Sequence, residues 1–146
     1  MTVLTLRAWL LELLGYPDAA LADIDRALKE EREIGQAGTL MFALARASGR
    51  HTSCGNYATA NALLDELVVL ADEKGALLWK GEGMINRGCL LALTGKASDA
   101  VQMLASGLTA RRSTGATLSM PLDLSYLARA YAELGQFDDA WRSTKR

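Results

Sequence analysis

The one histidine and one of the two cysteines stand three residues apart, His51 and Cys54 in "HTSC". An H-x-x-C pair could contribute to a metal site, or set a thiol beside an imidazole base. A structural zinc site needs further donors, but there is no second histidine and Cys89 lies far along the chain. A thiol–imidazole nucleophile also needs an orienting third group and an oxyanion site, and nothing nearby supplies them. "GEGMINRG" carries Gly81, Gly83 and Gly88, but not in G-x-G-x-x-G spacing and with no strand before it. Close packing between helices accounts for these glycines better than a phosphate cradle. Carboxylates are numerous and read as spread along outer faces, with no pair brought together in an apolar pocket. The expectation is therefore no catalytic residue, no metal, no cofactor and no enzymatic activity.

The bulk composition agrees with a binding role. The 146 residues are half hydrophobic, which supports a sizeable core, and their formal charge is −1. Neither a nucleic-acid surface nor a membrane footprint is expected, since both usually need a basic excess. In "RAL…KEER" acids interleave with bases, so Asp23, Arg26, Lys29, Glu30 and Glu33 read as a solvated, locally ion-paired helix face. Two cysteines make no disulfide framework, which suits a reducing cytoplasm. The apolar start "MTVLTLRAWLLELLG" is too short to span a bilayer, is interrupted by Arg7 and Glu12, and reads as a buried helix rather than a signal peptide.

What must position any functional side chain is a repeat. Gly15, Gly55, Gly95 and Gly135 are evenly spaced by forty residues, and Gly35, Gly75 and Gly115 interleave midway. Two glycine series mean two elements per repeat, each ended by a turn. Ala20, Ala60, Ala100 and Ala140 share one column; Ala8, Ser48, Gly88 and Ala128 share another. Small columns let helices approach, and the apolar columns Leu4, Leu44, Met84, Leu124 and Ile24, Leu64, Leu104 fill the space around them. His51 falls in the column of Leu11, Leu91 and Tyr131, which faces the core.

The periodicity is helical. Ala60, Leu64, Leu67 and Ala71 recur at three- and four-residue steps, as do Leu124, Leu127, Tyr131 and Leu134. Pro17 and Pro121 suit first turns, Asn56 suits an N-cap, and Asp18, Asp99, Asp138 and Asp139 put negative charge at helix starts. Gly35, Gly75 and Gly115 suit left-handed C-terminal stops. The expected fold is all-α: a right-handed α-solenoid of antiparallel helix pairs, with about seven helices and a short C-terminal stub. It forms one repeat domain over 1–146, in units of about 1–35, 36–75, 76–115 and a truncated 116–146. Interior glycines such as Gly49 and Gly81 each cost roughly 0.5–1 kcal/mol against alanine, so their helices are expected to be locally weak or unusually close-packed.

"ARAYAELGQFDDA", a small–x–x–Tyr–x–x–x–Gly–x–aromatic–x–x–Ala pattern, resembles the tetratricopeptide repeat. The forty-residue pitch is similar to the long-helix type in MalT-like bacterial regulators. "WLLELLGYPDAAL", "LLALTGKASDAV" and "STGATLSMPLDLSYLARAYAELGQFDDAW" resemble the C-terminal repeat region of proteobacterial multidomain adenylate/guanylate cyclases with an AAA-type or STAND ATPase module. That resemblance implies an interaction or sensing arm without chemistry of its own.

Transferring the inward-facing columns of tetratricopeptide repeats places Trp9, Glu12, Thr52, Glu82, Cys89, Arg129 and Glu133 on a concave groove. Such a groove suits a protein or peptide partner with apolar anchors and a basic residue. The apolar first helix and the stub bearing Trp141 imply uncapped ends and a homodimer through them. Two functions remain open: a regulatory protein-interaction scaffold, or the ligand-sensing arm of a cyclase, ATPase or transcription regulator.

Overall fold

The computed structural model describes residues 3–145, and among them every regular element is a helix. In order they are α1 (Val3–Leu13), α2 (Pro17–Ile34), α3 (Ala37–Ser53), α4 (Tyr57–Glu73), α5 (Leu77–Leu93), α6 (Ala97–Arg112), α7 (Met120–Glu133) and α8 (Phe137–Ser143). The chain forms two compact units, Met1–Gly75 and Ala76–Arg146. In the first, α1, α2, α3 and α4 each pack on the next; in the second, α5 to α8 do the same, and α5 also touches α7. Helical hairpins packed in succession are thus the architecture of each unit.

The glycine ruler marks the turns. All seven glycines of the two series have positive φ, from +60° to +84°. An L side chain resists that conformation, so glycine ends each helix and lets the chain reverse within two or three residues. One connection differs: α6 and α7 are joined by residues 113–119, and it closes on Ser119 at φ 63°, the one non-glycine in the left-handed region among the described residues.

The small columns work as contacts. Ala20, Ala60, Ala100 and Ser48 are fully buried, with Leu44, Leu64 and Leu104 packed beside them. Between α5 and α6 the approach is closest. A methyl added to Gly88 would lie 2.5 Å from Leu104 Cγ, and one added to Gly107 would lie 2.9 Å from the Gly81 carbonyl. The interior glycines of α5 are therefore packing residues, and α5 runs unbroken through them. Gly49 in α3 is different, because an added methyl there meets nothing within 4 Å.

Two local expectations are corrected. Asn56 stands at the N-cap position of α4, but its side chain caps nothing; its Nδ2 bonds the Nδ1 of His51 at 3.3 Å instead. Asp23 does not belong to the solvated face of α2. It is buried against α1 and accepts two hydrogen bonds from Arg7, both at 2.5 Å. Arg26 and Glu30 do pair on the exposed face, at 3.0 Å.

Candidate functional site

The seven proposed groove residues fall in both units, and their environments differ. Trp9 is exposed on α1, and Glu12 beside it is ion-paired with Arg50 of α3. Thr52 is buried, its hydroxyl donating to the Ser48 carbonyl at 2.8 Å. A threonine can bond its own preceding turn in this way, so burial there leaves no orphan polar group. In the second unit Arg129 and Glu133 form an exposed pair at 3.0 Å, four residues apart on α7. Glu82 is buried and ion-paired, and Cys89 is half-buried below it. Thr52 and Glu82 are therefore not groove surface: short-range bonding inside α3 and an inward ion pair from α5 turn them into the interior.

The ion pair of Glu82 belongs to a cluster that the sequence did not reveal. Arg111, near the end of α6, lies 3.2 Å from Glu82 of α5 and 2.7 Å from Asp123 of α7, all three side chains being buried. Its other terminal nitrogen donates to Ser119 Oγ at 2.8 Å and to the Leu118 carbonyl. Two carboxylates on one guanidinium leave one net negative charge inside the unit. The arginine ties α5, α6 and α7 together and holds the left-handed turn at Ser119 in place. The expectation that no two carboxylates converge is overturned here, because three different helices supply the members. Burial and the two nearby carboxylates push the Cys89 thiol up to about 12, so it stays protonated at neutral pH and is a poor nucleophile.

His51 sits in the core column, as its repeat position implies, and both ring nitrogens are engaged. Nε2 lies 2.9 Å from Asp25 Oδ1, and Nδ1 faces the amide of Asn56. The Asn56 amide donates, so Nδ1 accepts and Nε2 carries the proton toward Asp25. An imidazole held on both sides links α2, α3 and the start of α4, and is not free to activate Cys54. Among the described residues no group of three His, Cys, Asp or Glu is placed to hold a metal ion.

Concave and apolar surface lies elsewhere. On α1, Val3, Leu6, Trp9, Leu10 and Leu13 are all exposed, Val3 at 80%. They recur at three- and four-residue steps and make one stripe. In the second unit a cleft of about 180 Å³ opens between α6, α7 and α8, lined by Leu108, Leu124, Leu127, Tyr131, Arg112 and Arg142 among others. A wider, open trough of about 540 Å³ runs along α5 and α6 past Leu77, Lys80 and Met84. No described helix is long and apolar enough to cross a membrane. Compared with known proteins, the sequence matches no family model and no curated protein.

Proposed function

We propose that this chain is a non-catalytic protein-interaction module of tetratricopeptide type, serving a regulatory or signalling assembly in the cytoplasm, and that it self-associates through α1. The observation that carries the reading is the apolar stripe of α1. Forty residues on, α3 has Ala43, Arg46, Arg50 and Ser53 where α1 has Val3, Leu6, Leu10 and Leu13. The α3 set is what a helix inside the stack needs: Ala43 is almost wholly covered and Arg50 is ion-paired. The α1 set is what a docking face needs. Covering a leucine contributes about 1.5–3 kcal/mol, so a few of them suffice for association at micromolar concentration.

Light scattering at tens of micromolar tests this. A dimer or larger assembly is expected for the wild type, and Leu6→Glu with Leu10→Glu is expected to give a monomer of unchanged helicity. A monomeric wild type would sink the self-association reading. A small-molecule-sensing arm draws less support, because the enclosed cleft is smaller than the roughly 300–1,000 Å³ of ordinary ligand sites.

A further inference from the structure

The groove between α2 and α3 and the groove between α6 and α7 are the same groove, two repeats apart. Leu28, Arg32, Leu44 and His51 of the first correspond to Leu108, Arg112, Leu124 and Tyr131 of the second. The structure shows what covers the first. There α4 runs on to Glu73, with Leu67 and Ala71 buried, and Glu66 takes a two-point ion pair from Arg32, one arm at 3.1 Å. The pair joins α2 to α4 across the top of α3.

In the second unit α8 ends at Ser143, the counterpart of Leu63 in α4. No residue of α8 therefore corresponds to Glu66, Leu67 or Ala71. What the groove presents instead is the 180 Å³ cleft, with Leu108, Leu124 and Leu127 along its floor and Arg112 at its edge. Arg112 is exposed and has no ion-pair partner among the described residues, whereas its counterpart Arg32 is held by a carboxylate.

We propose that this cleft seats an amphipathic helix from a partner protein, of the kind α4 exemplifies: leucine or alanine at successive turns, and one carboxylate placed for Arg112. The inference rests on the interaction-module reading, but uses a different face from α1. The internal copy specifies the ligand chemistry: an apolar stripe sets the depth, and the arginine sets register and direction by taking the carboxylate in a planar, two-point contact.

The test uses the full chain and a fluorescein-labelled peptide of residues Asn61–Lys74, "NALLDELVVLADEK", read by fluorescence anisotropy. So short a helix is only marginally formed in water, so saturable binding in the range of roughly 10–100 µM is expected. The E66K peptide should bind at least about fivefold more weakly, as should the wild-type peptide to the R112E chain. The R112E chain should in turn prefer the E66K peptide. Absence of saturable binding up to millimolar peptide would overturn the proposal. So would binding that responds to R32E but not to R112E, because the peptide would then be displacing α4. Light scattering of the R112E chain is expected to match the wild type, so this seat and the α1 face fail separately.

Discussion

Gly107→Ala and Gly49→Ala are the same chemical change inside two helices, and they should act with opposite sign. An alanine methyl at position 107 would stand 2.9 Å from the Gly81 carbonyl oxygen and 2.9 Å from the Ile85 backbone nitrogen. Neither atom can rotate away, so α5 must move off α6. Overpacking of this kind costs about 1–3 kcal/mol, and two backbone contacts place it toward the upper end. Alanine recovers about 1 kcal/mol of helix propensity, which leaves a net loss of about 2 kcal/mol. At Gly49 no atom lies within 4 Å of the added methyl, so only the propensity gain remains, about 0.5–1 kcal/mol of stabilisation. Urea unfolding followed by circular dichroism measures both, with the midpoints moving apart by about 3 kcal/mol between the variants. A Gly107→Ala protein as stable as the wild type would refute the close-packing account of α5 and α6.

Two further outcomes follow from the buried charges. Arg111→Leu leaves Glu82 and Asp123 facing each other without a cation and should destabilise the second unit by about 3–5 kcal/mol, whereas Glu82→Gln, which leaves one carboxylate for one arginine, should cost far less; thermal melts compare them. The hydrogen bonds from Arg7 hold the Asp23 carboxyl below its ordinary range. A folded-state value below the unfolded one adds stability that is complete above about pH 4 and fades as the pH falls through the folded value. The stability gap between wild type and Asp23→Asn should therefore be constant near neutrality and close in acid; a gap that persisted at pH 2 would exclude the ion pair as its source.

The turns were legible because glycine alone tolerates the left-handed backbone, so Gly15 to Gly135 print the hairpin ends directly in the sequence. The first-turn acids Asp18, Asp99, Asp138 and Asp139 were legible for the same local reason. What stayed hidden depends on neighbours from other helices. Arg111, Glu82 and Asp123 share no short spacing, and Asp23 looked solvated because its partner Arg7 lies on the preceding helix. Asn56 had the right type for a cap, but the second nitrogen of His51 competed for its amide. Thr52 and Glu82 were assigned outward from a template of columns, which cannot register a hydroxyl bonded within its own helix or a carboxylate drawn inward by an arginine.

That Arg32 and Arg112 occupy one column means that a helix able to fit beside α6 and α7 is also chemically able to fit beside α2 and α3. Tethering separates the two. The first seat is served by α4 on a three-residue connection, at an effective concentration of at least the order of millimolar, which a free partner at micromolar levels cannot match. Identical recognition chemistry can thus be written twice in one chain without ambiguity, since one copy is saturated by a ligand that never diffuses away.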